Sequence, residues 1–209
     1  MTLLEEATRI LEYYTRLLKE GESSKLIELY PKAINALGTI LNTVSSMHQL
    51  GVHKQCSPPL LVCASFLELE GMPIRASALY VEAGDCLFAE GYLRNALECF
   101  LKGYRAASSK PSKAGKTFSS IALLMAAFTA LKLEGPPLFK ETIKQARNSV
   151  DKKTWGSIRR TKYYALLRIL DQAANTRFFP QKVYLLQVLD ELSSLAVGNS
   201  LREWFRVTD

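Results

Sequence analysis

The sequence predicts an all-α domain of antiparallel helical hairpins stacked in chain order, about eight helices in one unit spanning residues 1–209. Three observations predict it. Apolar residues recur three and four positions apart through most of the chain, the period of a helix with one face turned to a core. Glycine or proline stands at nearly every junction between these runs, where the chain must leave the helical conformation. No segment alternates apolar and polar side chains for long enough to make a strand. With 209 residues, 48% apolar and 22% charged, the chain can bury a sizeable core and lacks the composition of a disordered protein.

The first apolar run carries Leu3, Ala7, Ile10, Leu11, Tyr14, Leu17 and Leu18. Thr2 and Glu5 offer a capping box at its start, each side chain taking the other's backbone amide, and Gly21 stops it. A second run, from about 23 to 51, passes through Leu26, Tyr30, Ala33, Leu37, Ile40 and Val44. Pro31 lies inside it and predicts a break or kink, because proline lacks the amide a helix needs. Residues 52–57 read as a polar loop, and Pro58 and Pro59 open a helix from about 58 to 70. Further helices are expected at about 73–90, 93–108, 117–134 and 137–150, then at about 153–176 and 180–196, with a short turn near 201–206.

The most specific pattern is a repeat. Gly71, Ala76, Tyr80 and Ala83 recur as Gly91, Ala96, Phe100 and Gly103, each twenty residues on. Each unit sets a glycine at a turn, a small residue one turn into the next helix, an aromatic four later and a small residue three later. Small residues let helices approach closely and the aromatic fills the groove between them. A weaker echo repeats Leu67, Leu69, Glu70 and Gly71 as Leu131, Leu133, Glu134 and Gly135.

With these residues in view, the segment from 57 to 107 resembles the tetratricopeptide repeat family. Tyr80, Ala83, Gly84, Leu87, Gly91, Ala96, Phe100 and Gly103 fall at that family's spacings, with Pro111 slightly later than its terminal proline. The run from Ala78 to Cys86 also looks like the repeats of the soluble attachment proteins that bridge membrane-fusion complexes. The resemblance implies a right-handed solenoid of helical hairpins that holds a protein partner, with Val81, Asp85 and Phe88 on its concave, partner-binding face.

Charge is unevenly placed. Residues 1–101 carry 8 Lys or Arg against 12 Asp or Glu, while 102–209 carry 19 against 8. An acidic half joined to a basic half attracts polyanions, acidic protein surfaces or anionic lipid, and can orient self-association. The candidates for anion or polyanion binding are Lys102, Arg105, Lys110, Lys113 and Lys116, followed by Lys152, Lys153, Arg159, Arg160 and Lys162. Tyr104, Trp155, Tyr163 and Tyr164 are interleaved with them, a mixture that suits phosphate contact with base stacking but more often marks a solvated basic face over core aromatics. Lys110, Lys113 and Lys116 also precede a helix whose first turn, at Thr117–Ser120, would offer free amides to an anion.

Other chemistry finds less support. Gly115-Lys116-Thr117 ends like a phosphate-binding loop, but Lys110 stands where that motif needs glycine and no strand precedes it. His48, His53, Cys56 and Cys63 lie within sixteen residues yet match no zinc-ligand spacing, so neither a metal nor another cofactor is expected. The chain has only those two histidines and no nucleophile elbow, and acid pairs such as Glu68 with Glu70 or Asp190 with Glu191 are ordinary solvated charges. The four cysteines lack a disulfide framework's spacing. Glu5, Glu6 and Arg9 are incompatible with a signal peptide, and no stretch of about 18 uncharged apolar residues suggests a membrane span. The expectation is a cytoplasmic, non-catalytic adaptor binding a protein segment, with nucleic-acid or polyanion binding through residues 102–209 as the alternative and self-association left open.

Overall fold

The computed structural model describes residues 2–50, 52–53 and 55–176, and among these it holds nine helices and no strand. The helix expected at 180–196 and the turn near 201–206 lie outside the described residues. In order, α1 is Leu3–Glu20, α2 Ser23–Gln49, α3 Ser57–Leu69, α4 Pro73–Ala89, α5 Leu93–Ser108, α6 Lys113–Glu134, α7 Pro136–Asn148, α8 Lys152–Ile158 and α9 Lys162–Thr176.

Local chemistry sets most of the boundaries. At α1 the capping box forms in both directions: the Glu5 amide donates to Thr2 Oγ1 at 3.2 Å and the Thr2 amide donates to Glu5 Oε2 at 2.9 Å. The turns after α3 and α4 are copies of each other. Gly71 and Gly91 both take positive φ, 75° and 84°, and the next residue in each case donates its amide five residues back at 2.8 Å, Met72 to Leu67 and Tyr92 to Leu87. Glycine adopts that left-handed conformation without the cost a Cβ would impose.

Between α4 and α5 the repeated small and aromatic residues interlock. An ideal Cβ on Gly84 would lie 2.6 Å from the Phe100 ring, and one on Gly103 would lie 3.2 Å from both the Ser77 carbonyl and Val81. The two helices are thus in contact where neither carries a Cβ, and Ala76, Ala96 and Phe100 are fully buried around that approach.

Packing proceeds neighbour by neighbour. Helix α1 lies on α2 and α3, α3 on α4, α4 on α5 and α5 on α6, while α6 also returns onto α4 and meets α7, α8 and α9. Two buried clusters result. The first gathers α1, α2, α3 and one side of α4, with Leu11, Tyr14, Ile40, Leu60, Phe66 and Tyr80 at its centre. Tyr14 ties three helices together there, its ring 5.8 Å from Phe66 and 6.2 Å from Tyr30. The second is centred on α6, whose residues from Ile121 to Phe128 are all buried, and takes Val81 and Phe88 from the other side of α4. Helix α6 is long and apolar enough to cross a membrane by length and composition, and here most of it is buried inside the fold.

Three boundaries differ from expectation. Helix α2 runs through Pro31 without a break; the carbonyl that loses its amide partner belongs to Ile27, which is 82% exposed, so water can take it. Helix α6 starts at Lys113 rather than 117, because Ser112 caps it by accepting from the Gly115 amide at 2.9 Å. The helix expected at 153–176 is two helices, α8 and α9. Thr161 divides them: its hydroxyl donates to the Ile158 carbonyl at 2.8 Å and accepts from the Tyr164 amide at 3.3 Å, closing one helix and opening the next.

Candidate functional site

The residues assigned to a concave face do not form an open surface. Val81, Asp85 and Phe88 are 2%, 8% and 8% exposed. Val81 and Phe88 belong to the core around α6, where the Phe88 ring stacks on Phe128 at 5.5 Å and the Lys132 ammonium covers it at 5.0 Å. The return of α6 onto α4 covers this side, and these three positions are buried.

The basic candidates divide differently. Lys102, Arg105, Lys110, Lys113, Lys152, Lys153, Arg159, Arg160 and Lys162 are exposed and Lys116 half-buried. Among the described residues, none of the first five along the chain, Lys102, Arg105, Lys110, Lys113 and Lys116, makes an ion pair. Lys102 and Arg105 lie one turn apart on the solvent side of α5, and Lys110 follows in the α5–α6 connection. The aromatics between them are structural. Tyr104 is buried with its hydroxyl donating to the Ala146 carbonyl at 2.8 Å, Trp155 is buried edge-on to Tyr164 at 5.6 Å, and Tyr163 is buried. They hold α5, α8 and α9 in the second core.

The anion site expected at Thr117–Ser120 is not formed. Because α6 begins at Lys113, those residues sit in its second turn, where amides are taken by the carbonyls behind them. Gly115 serves close packing: a Cβ there would meet the Lys110 carbonyl at 2.2 Å and the Ala107 carbonyl at 2.9 Å.

Beside Lys110 the surface opens into a groove of about 500 Å³, bounded by the α3–α4 turn and the α5–α6 connection. Gly71, Met72, Pro73 and Ile74 make its apolar lining, and Arg75, Lys110 and Ser112 its polar edge. The Arg75 guanidinium rests on the Met72 sulfur at 3.8 Å, so the charged head remains at the rim. This groove combines apolar surface with unpaired cations, and sequence reasoning missed it. Its two walls come from helix junctions nearly forty residues apart, Gly71 and Lys110, and only the α4–α5 hairpin brings them together.

The isolated ionisable groups are accounted for by packing. Burial pushes the Cys63 thiol up to about 12, marking it as a small core side chain. Glu68 accepts from the Tyr80 hydroxyl at 2.9 Å and so braces α3 against α4. Asp190 and Glu191 lie outside the described residues. Of the histidines and cysteines named from the sequence, His48 and Cys56 come together, and they meet Cys86 of α4, which the sequence did not bring to notice. Family models, curated proteins and solved structures contain no match to this chain.

Proposed function

We propose that the chain is a non-catalytic helical-repeat scaffold, a right-handed stack similar to tetratricopeptide repeats, which works in the cytoplasm by holding an acidic, amphipathic segment of a protein partner. The observation that carries this reading is the groove between the α3–α4 turn and the α5–α6 connection, apolar along Met72, Pro73 and Ile74 and edged by Arg75 and Lys110. Apolar lining supplies contact area on desolvation, and the cations select sign and raise the encounter rate. The interlock of Gly84 with Phe100 and the return of α6 onto α4 support a repeat-like stack, in which the connecting turns vary freely over a fixed core.

Fluorescence anisotropy with labelled helical peptides tests it. An acidic amphipathic peptide binds the wild-type chain, whereas its basic counterpart and a scrambled control do not. Arg75→Glu combined with Lys110→Glu lowers affinity by about tenfold or more, since each unit charge reversal at a desolvated contact is worth at least a kcal/mol or so. Met72→Asp does the same. Equal binding of all three peptides, or wild-type affinity in both variants, contradicts the reading.

The second reading, a polyanion-binding protein, is favoured by the exposed run Lys102, Arg105, Lys110 and Lys113. It requires that duplex or single-stranded nucleic acid bind with an affinity falling steeply between low and moderate salt, and that Lys102→Ala with Arg105→Ala weaken it.

A further inference from the structure

We infer that His48, Cys56 and Cys86 form a binding site for a thiophilic divalent cation of the zinc type, with His53 supplying the fourth ligand. The three side chains come from three different elements: His48 from the last turn of α2, Cys56 from the residue that precedes α3, and Cys86 from α4. Their ligating atoms all lie within 4.8 Å of one another, and His48 Nε2 is 3.1 Å from Cys86 Sγ. A tetrahedral zinc ion with its usual bond lengths places nitrogen and sulfur ligands about 3.6 Å apart and two sulfurs about 3.8 Å apart. The imidazole–thiol pair therefore has to open by only about half an ångström to reach that spacing.

The surroundings prepare the histidine for this role. His48 Nδ1 lies 3.0 Å from Glu82 Oε1, one turn before Cys86 on the same helix. A neutral imidazole that donates through Nδ1 to a carboxylate keeps the Nε2 lone pair free, and Nε2 is the atom facing the thiol. Carboxylate, histidine and metal in a row is the usual second-sphere arrangement of zinc sites. The His53 ring stands 5.4 Å from that of His48, outside the cluster of three ligand atoms, and its Nδ1 is buried without a partner, as is Glu90 Oε1, so a turn of this ring toward the cluster makes it the fourth ligand. Buried polar atoms left unsatisfied cost free energy, and a ligand bond to the ion removes that cost for His53.

The carboxylates of Glu82, Asp85 and Glu90 lie around the two thiols, a setting that attracts a cation. Binding then releases one proton from each thiol to solvent as two metal–sulfur bonds form, so the dication is neutralised by the two thiolates. Cys63 and Cys99 are buried elsewhere and take no part.

The test uses the full chain, kept reduced and stripped of metal by a chelator. Cobalt(II) added to it gives thiolate-to-metal charge-transfer bands and the intense visible bands of a tetrahedral ion, at one cobalt per chain, and zinc(II) displaces them. Cys56→Ser and Cys86→Ser abolish these bands, Cys99→Ala leaves them unchanged, and His53→Ala weakens binding while keeping the charge-transfer bands. Glu82→Gln, which leaves every ligand in place, lowers zinc affinity by about 10- to 100-fold. The absence of cobalt bands in the wild-type chain overturns the proposal, and that experiment needs no variant to fold. Bands that survive Cys56→Ser combined with Cys86→Ser overturn it too. So does recovery of Cys56 and Cys86 as a disulfide that re-forms under mild reductant without metal uptake.

Discussion

The two sides of α4 face different environments. One side sends Val81 and Phe88 into a core of aliphatic and aromatic groups around α6, with the Lys132 ammonium over the Phe88 ring. The other sends Leu79, Tyr80, Ala83 and Cys86 toward α1, α2 and α3, and there the packing is mixed with polar contacts: Tyr80 to Glu68, Glu82 to His48, and His48 to Cys86. One helix thus packs mainly apolar side chains toward the C-terminal helices and carries polar contacts toward the N-terminal ones. Val81, Asp85 and Phe88, candidates for recognition by analogy with a repeat family, are buried on the α6 side, so chemistry has to be sought elsewhere on the fold.

If α4 is the shared wall of both cores, damage on either side weakens one cooperative unit. Phe128→Ala, on the α6 side, is expected to cost about 3–5 kcal/mol and Leu11→Ala, in the N-terminal cluster, about 2–5 kcal/mol. Both residues have no exposed surface. Urea denaturation followed separately by fluorescence and circular dichroism should show each variant moving a single transition; two transitions, with each variant moving only one, would separate the halves.

The glycines sharpen the contrast at smaller magnitude. Gly84→Ala drives a methyl into the Phe100 ring and should cost about 1–3 kcal/mol. Gly38 of α2 has open space where its Cβ would be, so Gly38→Ala should stabilise by about 0.5–1 kcal/mol. Thermal melts of the pair decide the matter, and a loss of stability in both variants would show that α2 is packed more tightly than described.

Much of this could be read in advance, and the failures have physical causes. The capping box at Thr2 and the turns at Gly71 and Gly91 were legible because they depend on a few consecutive residues. The division at Thr161 was not, since no proline or glycine marks it and a threonine caps as readily as it lies inside a helix. The start of α6 was missed because Ser112 caps through Gly115 without the acidic partner of a capping box. The burial of Val81 and Phe88 was not legible because exposure on α4 is decided by α6, whose Phe128 stacks on Phe88 from forty residues further on. Cys86 stands 38 residues from His48 and reads as one more small apolar residue, so only the fold could reveal their contact.

Cap strength gives the next comparison. Ser112→Ala should lower stability by about 1 kcal/mol by releasing the Gly115 amide at the head of the core helix. The smallest effect belongs to Asp151, whose carboxylate is held below its usual value of 3.8 by bonds from the Thr154 hydroxyl and the Thr154 and Lys153 amides. A carboxylate with a depressed folded pKa contributes its stability above the ordinary value and loses it as pH falls through the depressed one. Asp151→Asn should therefore lower stability slightly at neutral pH, leave strong acid nearly unchanged and so flatten the acid limb of the stability profile. A larger change in acid than at neutral pH would contradict that assignment.

Recognition in the groove can be tested in place with a photo-crosslinking amino acid at Met72, compared with one at Ile27 on the exposed face of α2. The account predicts that the probe at Met72 captures a protein through an acidic segment, that an acidic amphipathic peptide competes with capture, and that the probe at Ile27 captures nothing in common with it. Capture from Ile27 alone, or of nucleic acid from Met72, would contradict it.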